Sequence, residues 1–143
     1  NEQDTEQDMT DDLVHEVAHS VEEEEFLSIY SDGSLESEFL GKRERLFHLL
    51  DTEGLNVDYT EYKSPEYSRN FDDHLYFEIG YPYLTSISVN LFYSPYAITS
   101  LREYFANGFE AFFMGENIAR LKKISPELFI KIVKLSESER EYR

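Results

Sequence analysis

The sequence predicts an α+β fold, mostly helical, with one antiparallel β-hairpin inserted between helices. Three observations carry that expectation. Apolar residues recur at helical spacing in the first third of the chain and again after Thr99. Between those stretches, His74 to Glu78 and Leu84 to Phe92 alternate in polarity around Gly80-Tyr81-Pro82, which reads as two strands and their turn. Finally, 11 Tyr and 11 Phe among 143 residues are too much large apolar surface for a disordered chain, even at a formal charge of -17.

Residues 1–9 read as an acidic, flexible tail. Thr10 is placed to cap a helix from Asp11, whose acidic first turn suits the positive end of the helix dipole. Leu13, Val14, Val17, Ala18 and Val21 form its apolar stripe, and the helix is expected to continue to about Tyr30. Ser31 to Ser34 is a loop, and a second helix is predicted from Glu36 to Leu50 with Phe39, Leu40, Leu46, Phe47 and Leu50 buried. Lys63 to Asp73 is polar, contains Pro65, and reads as an excursion before the hairpin. Thr99 or Ser100 opens a helix ending near Gly115. Ser125-Pro126 opens the last one. Residues 10–135 then form a single domain, and 136–143 a C-terminal tail.

Six acidic residues and no base lie between Asn1 and Asp12, and Glu22 to Glu25 is an unbroken acidic run. A field of this sign excludes phosphate-based nucleic-acid binding, while a basic or neutral peptide would be drawn in. Without cysteine there is neither a disulfide framework nor a thiolate metal site. The lack fits a secreted protein as well as a cytosolic one. No apolar run approaches the ~20 residues of a membrane span. The chain opens on Asn1, which suggests a processed product or a fragment.

The run His15-Glu16-Val17-Ala18-His19 carries the chemistry. On a helix, residues i and i+4 share a face, so His15 and His19 present two imidazoles to one point. Catalytic zinc takes three protein ligands and keeps one position open. Glu16 sits one residue round, where its carboxylate can reach a zinc-activated water instead of the metal. A histidine ligand three residues past a glycine, as in the metzincins, is excluded, because Glu22 and Glu25 occupy those places. A downstream carboxylate is the better third ligand. Glu103 is the first candidate and Glu110 the second, although Glu103 could simply close a capping box with Ser100. His48 and His74 lack partners at ligand spacing and read as ordinary histidines.

Around Glu103 the sequence resembles the anthrax lethal factor-like zinc metallopeptidases, a family that includes the clostridial Pro-Pro endopeptidases. That family pairs the His-Glu-x-x-His helix with a later Glu followed by two aromatics and Ala, and a Tyr seven residues before it. Glu103-Tyr104-Phe105-Ala106 and Tyr96 reproduce this spacing. Ala119 to Lys122 and Ser125 to Phe129 also resemble the family's closing segment, and Lys42 to Asp58 loosely resembles the helix between its two zinc-binding helices.

The resemblance implies a zincin-like endopeptidase acting on a protein or peptide. Zinc (Zn2+) would sit on His15, His19 and Glu103, with Glu16 as general base and Tyr96 as the phenol that steadies the oxyanion. The sequence does not give the compartment; a secreted or virion-associated setting is expected ahead of a cytoplasmic one. The chain departs from the pattern in four places. Ala18 replaces a Gly. Asn107 stands where a second Glu is usual, and is expected to accept a hydrogen bond from a ligand imidazole without bringing charge. The 84 residues from His19 to Glu103 (103 minus 19) exceed the family's separation, with the excess in Thr60 to Tyr93. Only 14 residues precede His15, where the family has a sheet and helices, so contact with another segment of a longer precursor or with a second chain is expected. The rival reading is a non-catalytic structural or partner-binding module of a toxin or virion assembly, which would have no reason to keep Glu16, Glu103 and Tyr96 together.

Overall fold

The structure, a computed structural model, describes the backbone of residues 2–115 and 117–141 and the side chains of 9–115 and 117–137. Among these residues there is no strand. The fold is all-helical, and the expected α+β class with its hairpin is corrected. Nine α-helices follow one another among the described residues: α1 (Glu2–Glu24), α2 (Phe26–Tyr30), α3 (Ser34–Thr52), α4 (Tyr59–Tyr62), α5 (Arg69–Asp73), α6 (Tyr81–Ile87), α7 (Leu101–Met114), α8 (Ile118–Ile124) and α9 (Pro126–Glu141). A π-helical turn (His74–Ile79) links α5 to α6, and a 3-10 turn (Pro95–Ile98) precedes α7.

The hairpin fails for reasons visible in its own residues. Leu84, Ser88 and Leu91 are buried and Ile87 is half-buried. Their spacing is helical, and it competes with the alternation that suggested a strand. Gly80, at φ 91, turns the chain, and Pro82 sits in the first turn of α6, where a missing N–H costs nothing. Two strands with no third to pair with are marginal in water, whereas a helical turn satisfies its own backbone. Leu75 and Leu84 anchor the segment in the core while Tyr76 and Phe77 remain exposed.

The N-terminal helix is longer than expected, running from Glu2 through the predicted Thr10 cap to Glu24, with α2 taking up its continuation to Tyr30. Residues 142–143 of the expected C-terminal tail lie outside the described residues, and α9 occupies the stretch up to Glu141. No helix among the described residues is long and apolar enough to cross a membrane.

The core forms around α7, whose Tyr104, Phe105, Ala106, Phe109 and Ala111 are buried. It packs along α1 on one side and against α3, α8 and α9 on others. A side chain at Gly108 would place its Cβ 2.3 Å from Leu128 Cδ2, so only glycine lets α9 approach this closely. The N-terminus of α9 is capped from a distance. Glu38 of α3 accepts from the backbone N–H of Glu127 at 2.7 Å, satisfying a group that the helix itself leaves free.

Candidate metal centre

Helix α1 presents His15 and His19 on the face that packs against α7. Fully buried Ala18 lies between them in sequence and lets the two helices close up. The two Nε2 atoms stand 3.1 Å apart, with the rings edge to face. Glu103 enters from α7, in the first turn after Ser100, whose hydroxyl accepts from the Glu103 N–H at 3.1 Å. Ser100 therefore does cap this helix. The Glu103 carboxylate is free for other work: one oxygen is 3.2 Å from His19 Nε2 and the other 3.3 Å from His15 Nε2.

One ligand atom from each of these three residues lies within 4.8 Å of the others. Ligands ~2.0–2.1 Å from a tetrahedral metal are separated by about 3.3–3.4 Å. The two Nε2 atoms, 3.1 Å apart, and the distance from each to its nearer Glu103 oxygen, 3.2 Å to one oxygen and 3.3 Å to the other, are of similar length. Glu103 Oε2 is moreover buried and without a hydrogen bond, although His15 Nε2 is at ion-pair distance. Lone pairs thus converge where an aligned N–H···O bond would otherwise be expected. A cation there would satisfy all three groups together, and two imidazole nitrogens with one carboxylate oxygen are a donor set that zinc uses in catalytic sites.

The far sides of the imidazoles differ. His15 Nδ1 hydrogen-bonds the carboxylate of Glu110, two turns along α7 from Glu103. Burial pushes the Glu110 carboxyl above its ordinary value, opposed by its bond to His15. Glu110, the second-choice carboxylate of the sequence analysis, meets Nδ1 of His15, whereas Glu103 stands near its Nε2. Asn107 does not fill the role expected of it, since its Oδ1 is buried without a partner. Nδ1 of His19 is likewise buried and without a hydrogen bond. Glu22 stands 3.6 Å from that nitrogen. Its own carboxylate accepts from Arg102 Nε at 2.7 Å and from the Tyr30 hydroxyl.

Tyr96 sits in the 3-10 turn, with its ring centroid 6.4 Å from that of His15. It is 42% exposed, so the ring faces solvent beside the centre. Partial burial raises its phenol pKa, and the Glu103 carboxylate adds to the effect. Glu16 is solvent-exposed on α1, one residue after His15 in sequence. His48 is exposed, and His74 is buried with one nitrogen on the Tyr62 hydroxyl and the other on Glu78.

Sequence reasoning missed Arg43 altogether. It is fully buried, with its guanidinium between the rings of Phe39 and Phe71. It donates to the carbonyls of Ile98 and Thr99, each at 2.8 Å, and of Ser64 at 2.6 Å. Helix α3 thereby fixes the turn that carries Tyr96 and the start of the helix that carries Glu103. The signal was a charged residue inside the apolar stripe from Phe39 to Leu46. Beside Arg102 a cavity of about 470 Å³ opens, walled by Phe26, Tyr30, Pro65 and Tyr67. Comparison of the chain with protein-family models, with curated proteins and with solved structures gave no match.

Proposed function

We propose that the chain is a zinc-dependent endopeptidase domain, as its resemblance to the lethal factor-like peptidases implies. The observation that supports this most directly is the convergence of His15, His19 and Glu103, one ligand atom from each lying within 4.8 Å of the others. Zinc held by these three residues would supply a Lewis acid that lowers the pKa of water towards ~7 and polarises a peptide carbonyl. The remaining steps fall to the chain's own groups. Glu16 takes a proton from the attacking water and hands it to the leaving amine. Tyr96 directs its hydroxyl at the carbonyl oxygen as negative charge grows there.

The domain is further proposed to pack against another polypeptide segment or a second chain. Leu13, Val17 and Phe113 are exposed on adjoining faces of α1 and α7, which supports this. The same face gives the rival reading, a partner-binding module, its one specific support.

The test of the peptidase reading is cleavage of an unfolded protein substrate by the zinc-loaded chain. Activity should vanish with a chelator and return with zinc. Glu16→Ala should keep the metal and lose the activity. Tyr96→Phe should keep the metal and lower kcat by about 10²–10³ with KM little changed. Cleavage that ignores the chelator, or a Glu16→Ala variant as active as the parent, would sink the assignment.

A further inference from the structure

An imidazole that binds a metal through one nitrogen needs a partner on the other, to fix the ring and its tautomer. For His15 that partner is Glu110. For His19 no hydrogen bond reaches Nδ1, and this nitrogen is buried. Asn107 does not serve, because its own oxygen is unpartnered. One carboxylate does stand beside the nitrogen. Oε1 of Glu22 is 3.6 Å away, a few tenths of an ångström beyond the ~3.2 Å reach of an N–H···O bond.

Glu22 differs from its neighbours in the acidic run. Glu23, Glu24 and Glu25 are exposed, whereas Glu22 is 1% exposed. A buried carboxylate is costly unless it is paired, and this one has two donors. Arg102 Nε meets Oε1 at 2.7 Å, and the Tyr30 hydroxyl meets Oε2. Arg102 is adjacent in sequence to Glu103, so the first turn of α7 delivers a ligand to the centre and a charge partner to Glu22 together. His19 and Glu22 are three residues apart on α1, which places them on one face. Oε1 has a second lone pair available after accepting from Arg102.

We propose that Glu22, held by Arg102 and Tyr30, is the positioning carboxylate of His19. It accepts the Nδ1–H of His19 and so turns the lone pair of Nε2 towards His15 and Glu103. The inference rests on the metal reading of those three residues. It gives α1 its own support for the second imidazole, in place of the carboxylate that Asn107 does not provide. A small rotation of the Glu22 carboxylate about its bond to Arg102 closes the remaining gap.

Zinc affinity, measured by competition with a chromophoric chelator, tests it. Glu22→Gln keeps the size of the side chain and an acceptor for Tyr30 but removes the charge. It should weaken zinc binding ten- to a hundredfold. Glu22→Asp keeps the charge near Arg102 but draws it away from His19, and should weaken binding as well; it serves if Glu22→Gln fails to fold. In the zinc-loaded parent, proton NMR should show a downfield, slowly exchanging His19 Nδ1–H that is lost in both variants. Affinity within twofold of the parent, or a His19 N–H that persists, overturns the role of Glu22. So does a loss of the same size in Asn107→Ala with none in the Glu22 variants. A parent that takes up no zinc overturns the metal reading itself, and the role of Glu22 with it; the parent titration separates that failure from the others.

Discussion

The guanidinium of Arg43 donates to the carbonyl oxygen of Thr99 across 2.8 Å, and both residues are fully buried. Thr99 immediately precedes the Ser100 cap of α7, so this bond ties α3 to the element that carries Glu103. The same guanidinium reaches Ile98 and Ser64, which bracket the excursion from α4 to the 3-10 turn. Arg43→Met should therefore leave several buried carbonyls without donors and cost about 3–5 kcal/mol. Arg43→Lys should recover little of this, because one ammonium cannot reproduce the planar fork. Urea denaturation of the metal-free chain measures both. A loss under ~1 kcal/mol for Arg43→Met would show that the carbonyls find other partners.

Glu110 is expected to act on the metal through His15 and on little else. Glu110→Gln should lower zinc affinity about 10–100-fold, because the imidazole loses the charged acceptor that fixes its tautomer. The metal-free melting temperature should change little, since Glu110 is only partly buried. A variant with parental zinc affinity would show that the contact orients nothing.

What could be read from the sequence was what local spacing encodes. His15 and His19 share a face because they are four apart, and Ser100 and Gly115 bound α7 because caps are local chemistry. Glu103 was reachable because the resemblance fixes it relative to Tyr96. The hairpin was misread because a short segment with Leu84, Ser88 and Leu91 buried satisfies a helical period while also alternating in part. The contacts made by Arg43, Glu110 and Glu22 escaped for a different reason. Each draws its role from a partner on another element: Thr99 is 56 positions from Arg43, His15 is 95 from Glu110, and Arg102 is 80 from Glu22. No pattern within a window of one helix contains such pairs.

Lys42 should make stability rise with pH in mildly alkaline solution. It is 5% exposed, it donates to the Tyr104 hydroxyl and to Ser125, and burial lowers its pKa to about 8 from an ordinary 10.5. Between those values the unfolded chain holds the proton that the folded chain has released. Stability then increases with pH across that window, by on the order of 3 kcal/mol at most. Tyr62 and Tyr104 act oppositely and at higher pH. Burial raises their pKa values, so folded protein keeps protons that unfolded chain loses above about 10. Thermal melts from pH 7.5 to 10 should show the rise in the parent and not in Lys42→Met. An equal rise in the variant would assign it to other groups.

The exposed face shared by α1 and α7 should govern association. Leu13 is 61% exposed, Val17 44% and Phe113 47%, and together with Val14, Val21 and Phe109 they line a shallow hollow of about 270 Å³. The hollow is almost wholly apolar, in a chain whose formal charge of -17 would otherwise keep copies apart. Apolar surface of this kind is covered in a working assembly, by another segment or by a second copy. The chain by itself is therefore expected to self-associate at tens of micromolar, more strongly at high salt, where repulsion is screened. Leu13→Glu combined with Phe113→Glu should restore a monomer in sedimentation velocity while leaving zinc content unchanged, since neither residue is a proposed ligand. A parent chain that stays monomeric at high salt, with a melting temperature equal to that of the double variant, would show that this face has no partner to wait for.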